Sequence, residues 1–160
     1  MKRAELQNRL ERAPLVCDGA MGTSLYAKGV MLNRCFDELN LSNAKLIQSI
    51  HREYLAVGAD IIETNTYGAN RFKLQPHGFG DSVRAINEKG ARLAAELRSS
   101  ADRPFLVAGA VGPLGKPIAP IGTVSEDDAL AAFCDQTTGL IEGGADLLIL
   151  ETFSDLRELA

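Results

Sequence analysis

The chain has 160 residues, of which 46% are hydrophobic and 24% charged, enough for one domain with a buried core. A net charge of −4 with scattered Lys and Arg leaves no footprint for nucleic acid. No stretch approaches the roughly 18 consecutive apolar residues of a membrane span. The N-terminus lacks an apolar run suited to export, so the three cysteines read as reduced thiols and the expected location is cytoplasmic.

Residues 1–13 carry Leu6 and Leu10 at i, i+4, an N-terminal helix, and residues 14–160 then divide into four strand–helix units. The first strand, Leu15, Val16 and Cys17, runs through Asp18-Gly19-Ala20-Met21-Gly22-Thr23 into a loop reaching residue 40. Ile47, Ile50, Tyr54 and Val57 predict a helix ending at Gly58, followed by a strand over 59–66. A loop containing Gly68, Pro76, Gly78 and Gly80 leads to Asp81, the expected N-cap of a helix marked by Val83, Ile86, Gly90, Leu93 and Leu97. Pro104 opens the third strand, 105–111, and Gly112-Pro113 stops it. Ser125-Glu126-Asp127-Asp128 resembles a capping box, and Leu130, Phe133, Thr137 and Ile141 are the expected buried stripe of the next helix. Gly143-Gly144 end that helix, 146–151 form the fourth strand, and 155–160 begin a fourth helix.

Strict alternation implies parallel strands joined by right-handed crossovers. Gly58-Ala59-Asp60 and Gly144-Ala145-Asp146 each precede a strand that delivers Glu-Thr, at Glu63-Thr64 and Glu151-Thr152. This repeat favours a barrel over an open doubly wound sheet. Either architecture places its site at the C-terminal strand ends. A complete (β/α)8 barrel uses eight units in about 250 residues. The expectation is therefore an α/β fold, a truncated (β/α)8 TIM barrel with about four βα units of its N-terminal half.

Asp18 and Glu151 end the first and fourth strands, where two carboxylates can hold a substrate ammonium group. The Gly19-Ala20-Met21-Gly22 turn can offer backbone N–H groups to a carboxylate. Together they would grip an amino acid. Alternatively, Asp18 caps a turn and Glu151 caps the next helix. Glu63 ends a strand as Glu151 does and points either toward the axis or away. Cys17, Cys35 and Cys134 lack metal-ligand spacing and are read as structural. His51, beside Ile50, is read as a surface or boundary residue, and His77 has no partner nearby. Asp60 and Asp146 sit at strand starts as turn caps.

The segments Asp18-Gly19-Ala20-Met21-Gly22-Thr23, Gly58-Ala59-Asp60-Ile61-Ile62-Glu63-Thr64-Asn65-Thr66-Tyr67, Ala108-Gly109-Ala110-Val111-Gly112-Pro113 and Gly143-Gly144-Ala145-Asp146-Leu147-Leu148-Ile149-Leu150-Glu151-Thr152-Phe153 resemble the homocysteine S-methyltransferase family. That family includes the homocysteine-binding module of methionine synthase and betaine–homocysteine methyltransferase. The loop from Leu114-Gly115-Lys116-Pro117 to Ile121-Gly122-Thr123 is most similar to bacterial members fused to a methylenetetrahydrofolate reductase domain.

The resemblance implies methyl transfer to the homocysteine thiol to give methionine. It assigns substrate binding to Asp18, Gly19, Ala20, Met21, Gly22, Thr23 and Glu151, with Asn65 and Thr66 as further polar positions. It also implies a zinc ion that binds the thiol as thiolate, held by cysteines after the sixth and eighth strands. This sequence ends after the fourth, so the expectation is half a substrate site, no metal ligands and no activity by itself. Implied partners are homocysteine, the remaining half of the barrel or a self-associated copy, and a fused reductase or cobalamin/folate domain. The methyl donor, of methylcobalamin, folate, betaine or S-methylmethionine type, is selected by regions outside these segments. Two other readings stand beside this one: a non-catalytic half-barrel for binding or assembly, and an unrelated α/β barrel enzyme acting on an amino-acid or phosphorylated substrate.

Overall fold

Apolar runs bounded by Gly and Pro become short parallel strands, and 3.6-residue stripes become the helices between them. The computed structural model describes residues 3–159; Met1, Lys2 and Ala160, at the ends of the predicted first and last helices, lie outside the described residues. The helices are α1 (Arg3–Arg12), α2 (Met21–Ala27), α3 (Leu39–Ser42), α4 (Ala44–Ala56), α5 (Arg71–Leu74), α6 (Val83–Ala95) and α7 (Glu126–Glu142). The strands β1 (Ile61–Glu63), β2 (Leu106–Val111) and β3 (Leu147–Leu150) form one parallel sheet in the order β1-β2-β3.

The predicted first strand is reduced to a parallel bridge from Cys17 to Ile61. Asp18 N–H donates to the Ile61 carbonyl at 2.9 Å, and Ile61 N–H donates to the Val16 carbonyl at 3.1 Å. Four parallel segments thus lie side by side in chain order. A doubly wound sheet needs a point where that order reverses, and here there is none among the described residues.

The second predicted strand, 59–66, shortens to β1 because side chains take over its ladder. Ala110 N–H donates to Thr64 Oγ1 at 3.0 Å, and Thr66 Oγ1 donates to the Ala110 carbonyl at 2.8 Å. With its proton so used, the Thr66 hydroxyl accepts from Thr64 Oγ1 at 2.5 Å. The two threonines therefore continue the pairing of β1 with β2 beyond the strand.

Both copies of the Gly-Ala-Asp repeat do the same work. Gly58 and Gly144 end α4 and α7 at φ +105° and +98°, the left-handed region that glycine enters freely. Ala59 N–H bonds the Tyr54 carbonyl and Ala145 N–H the Leu140 carbonyl, each at 3.1 Å. Asp60 Oδ2 then accepts Val16 N–H at 3.0 Å, and Asp146 Oδ2 accepts Val107 N–H at 2.9 Å. Arg103 pairs with Asp60 at 3.4 Å and Arg98 with Asp146 at 2.6 Å. These aspartates lock each strand start to its neighbour, at the end of the sheet opposite the site.

Several expectations need correction. The stretch up to residue 40 holds α2 and the start of α3; Leu25 and Leu39 pack with Ile47, Ile50 and Leu93, which a bare loop would leave uncovered. Asp81 lies in a 3-10 turn, Gly80–Ser82, and α6 starts at Val83 after Ser82. Ser125 does cap α7, accepting Asp128 N–H at 3.0 Å. After Asp155 the chain makes a 3-10 turn, Leu156–Glu158, in place of the start of a longer helix.

The buried face of α7 is rotated from its prediction. Leu130 and Ile141 are 64% and 63% exposed, and Val57, just after α4, is likewise exposed, whereas Ala129, Ala132, Gln136, Gly139 and Leu140 are buried. The reason is close packing on α6. A Cβ on Gly139 would lie 2.7 Å from the Arg84 carbonyl oxygen, so small residues must face inward.

His51 is fully buried on α4, not at the surface, and neither ring nitrogen has a hydrogen-bond partner among the described residues. Burial lowers its pKa from 6.5 to about 4, so the imidazole is neutral at pH 7. The unfolded chain takes up that proton first, and stability is lost as pH falls from about 6.5 to about 4. His51→Leu removes two unpaired polar atoms and is expected to match the wild type or gain about 1 kcal/mol at pH 7. Its advantage should widen toward pH 4.5, as read from urea midpoints at the two pH values; a constant difference would contradict the titration.

The two faces of the sheet are covered differently. Ile62 and Val107 pack with Ala59, Ala94, Leu97 and Phe105 on the helix side. Ile61, Leu106 and Ala108 form the opposite cluster with Leu6 of α1, Leu15, Leu147 and Ile149. On β3, Leu148 and Leu150 remain 38% and 54% exposed. No helix among the described residues is long and apolar enough to cross a membrane.

Candidate functional site

Side chains alternate along a strand, so the face bearing Ile61 and Ile149 also carries Glu63 and Glu151 at the C-terminal ends of β1 and β3. There the chain encloses a cavity of about 610 Å3 lined by Asp18, Gly19, Ala20, Met21, Gly22, Asn65, Thr66 and Glu151. Phe36, Asp37, Glu63, Thr64, Tyr67, Gly68, Lys73, Ala110 and Thr152 complete its wall. Thr23 is exposed on α2 and does not line it.

Asp18 Oδ1 accepts Glu63 N–H at 3.1 Å, which ties the first segment to the end of β1. Burial pushes its carboxyl from 3.8 up to about 7, and the charges of Glu63 and Glu151 add to that rise against the backbone hydrogen bonds. Glu63 is raised as well, by burial first and then by Glu151. An anionic cluster short of cations is poised to receive a positive group.

The turn after Asp18 is held from behind. The Ala20 carbonyl accepts Ser24 Oγ at 2.8 Å and Tyr54 Oη at 3.1 Å. Gly19 packs on the Tyr54 ring, where an added Cβ would stand 3.0 Å from the phenol oxygen. The residues from Met21 onward open α2, so the turn ends in the first turn of a helix whose N–H groups have no intrahelical acceptor.

Asn65 and Thr66 line the cavity, yet the Asn65 amide N–H groups and the Thr66 hydroxyl are already hydrogen-bonded within the fold. Asn65 Nδ2 donates to the Phe36 carbonyl at 2.7 Å and to Asn40 Oδ1 at 3.2 Å, while Asn40 Nδ2 returns a bond to the Asn65 carbonyl at 2.8 Å. The pair pins residues 36–40 over the end of β1. Gln136 Nε2 of α7 donates to the Thr66 carbonyl at 2.8 Å.

Two wall residues, Asp37 and Lys73, were not legible as site residues, whereas Thr152 was marked by the Glu-Thr repeat. Asp37 Oδ1 accepts Gly68 N–H at 3.0 Å, and burial raises its pKa to about 6. Lys73, the one cation among the described lining residues, sits 4.4 Å from the centre of the Tyr67 ring; burial lowers its pKa, opposed by Asp37, Glu158 and Glu151. Thr152 holds φ +62°, a conformation that costs a β-branched residue strain, directly after Glu151. No sequence signal marks Asp37 or Lys73, which come from loop and short-helix positions. Glu63 was marked by the Glu-Thr repeat, and the fold turns it into the cavity.

Cys17 and Cys134 are exposed and Cys35 is buried, each in a different part of the chain. The described residues contain no group of three or more His, Cys, Asp or Glu able to hold a metal ion. Among the described residues the zinc implied by the resemblance finds no donor set.

A singly wound parallel α/β chain with a carboxylate-rich cavity at its C-terminal strand ends is the class that fold and site define. A family model for homocysteine S-methyltransferase matches residues 15–160. Methionine synthase of Mycobacterium tuberculosis is 34% identical over 164 aligned positions, covering 97% of this chain and 14% of that protein. Methionine synthase of Mycobacterium leprae is 32% identical with the same coverage. Crystal structures of the Escherichia coli homocysteine methyltransferase MmuM superpose at TM-score 0.82 in the metallated form and 0.69 in the apo form, at 27% identity. The former match covers 96% of this chain and 59% of MmuM. The chain thus belongs to the homocysteine S-methyltransferase family, and it spans 14% of the length of the curated relatives it matches.

Proposed function

We propose that this chain supplies the amino-acid-gripping part of a homocysteine S-methyltransferase site, as the first βα units of a (β/α)8 barrel. The observation that carries the reading is the convergence of Asp18 and Glu151 on one cavity beside the turn 19–22. The substrate ammonium group lies against Asp18 and Glu151, and its carboxylate faces backbone N–H groups of Gly19 to Gly22. The thiol then points away from the turn, toward residues that this chain does not contribute. Activation of the sulfur and the choice of methyl donor belong to those residues and to any fused reductase, cobalamin or folate domain.

The part played by the rest of the barrel is supported by the exposed Leu148 and Leu150 on β3, an apolar surface suited to burial under a further element. On this reading the protein works in the cytoplasm, and the 160-residue chain alone binds homocysteine without methylating it. The test is to purify the chain, measure zinc after dialysis, and assay methionine formation with each donor type. Expected are no retained zinc and no turnover. Methionine production with bound zinc would overturn the assignment of the metal site to other residues.

A further inference from the structure

Glu63 and Glu151 leave β1 and β3 on the same face of the sheet, with β2 between them. On that face β2 offers Ala108 and Ala110, so nothing larger than a methyl group stands between the two glutamates. Both line one cavity, and the strained Thr152 backbone turns the chain immediately after Glu151. Burial raises the Glu63 carboxyl, and the charge of Glu151 adds to that rise. Two carboxylates brought onto one face of one cavity repel when both are ionised, and a proton on one of them relieves that repulsion. The titratable groups facing Glu63 are Cys17 and Asp18 from the first segment and Glu151 beyond β3. None of them is a cation; Lys73 acts on Glu151 from α5.

We propose that Glu63 is a third positioning carboxylate of the amine site, and that it shares one proton with Glu151 while the site is empty. The inference rests on the homocysteine-site reading above. When the substrate ammonium group docks against Asp18, Glu63 and Glu151, its charge replaces that of the shared proton. The carboxyl O–H bond breaks, the proton passes to solvent, and the ammonium group keeps its three hydrogens. No other bond changes. Binding therefore couples to proton release, and Glu63 contributes attraction only at pH values where the pair has already ionised.

The test is calorimetric titration of the full chain with L-methionine, whose amino-acid end is that of homocysteine but whose thioether has no proton to lose. Running it at pH 6 and 8.5 in buffers of low and high ionisation enthalpy counts the protons released. Glu63→Gln is the informative variant, because a glutamine resembles the protonated acid. Wild type is expected to release more protons than the variant at pH 6. The two should bind about equally there, and the variant about tenfold more weakly at pH 8.5. Equal proton release at pH 6, or an affinity ratio independent of pH, would overturn the proposal. So would zero release by the wild type alone, which needs no variant to fold. Failure of the wild type to bind L-methionine would instead overturn the homocysteine-site reading, and the shared proton with it.

Discussion

Asp18→Asn is expected to weaken homocysteine binding by about 10- to 100-fold while making the protein more stable above neutral pH. The affinity loss follows from removing a charge-assisted contact to the substrate ammonium group, worth about 1.5–3 kcal/mol. The stability gain has the opposite cause. Asp18 ionises at about 7 in the fold against 3.8 outside it, so its charged form opposes folding. Its raised pKa gives a stabilising contribution present in full below about pH 3.8 and lost as pH rises through about 7. Asparagine avoids that loss and still accepts Glu63 N–H through its side-chain oxygen, so the gain at pH 8.5 is at most roughly 4 kcal/mol. At pH 3.5 the variant and the wild type should be alike. Asp37, raised to about 6, acts in the same sense, and His51 acts against both. Calorimetric titration with homocysteine and urea melts at the two pH values would decide the matter. Unchanged affinity would remove Asp18 from the site, and a loss of stability at pH 8.5 would contradict its raised pKa.

Gly143→Ala should be among the most damaging single substitutions outside the cavity. A Cβ at that position would fall onto the Glu88 carbonyl oxygen of α6 and 2.7 Å from the Ala91 Cβ. Both are fixed by the helix, so α6 and α7 must separate along their contact. The expected cost is about 3 kcal/mol, exceeding the roughly 1 kcal/mol that alanine gains over glycine by helix propensity. Gly29 provides the control. Its surroundings are open, and its φ of +89° alone sets the penalty of an alanine there at about 1 kcal/mol. Urea midpoints for both variants give the comparison, and a Gly143→Ala cost no larger than that of Gly29→Ala would contradict the packing argument.

The sequence by itself determined the alternation of strands and helices, the Gly-Ala-Asp starts of two strands, the Ser125 cap and the strand ends that carry Asp18 and Glu151. These are local properties. A glycine in the left-handed region, a hydroxyl over a helix N-terminus and an apolar run between breakers each act within a few residues. Family membership was legible for the same reason, since its motifs are the strand ends themselves.

Tertiary structure alone decided the rest. The order of the strands depends on which edges pair, and that is a contact across some 45 residues between Ile61 and Leu106. The inward face of α7 was set by how closely α6 approaches: Gly139 and Ala132 fit that gap, whereas Leu130 and Ile141 do not and stay in water. His51 reads as a polar residue on a helix until α4 is packed and its ring is sealed in. Asn65 and Thr66 have the polar groups of binding residues, but the Asn65 amide N–H groups are taken by Phe36 and Asn40 and the Thr66 hydroxyl by Ala110 across the sheet. Glu63 faces the cavity because β1 begins at Ile61 and alternation then turns the third residue inward. Periodicity states that a residue has an inside and an outside. Only the neighbouring elements decide which is which, because burial and hydrogen-bond satisfaction are properties of the space between elements.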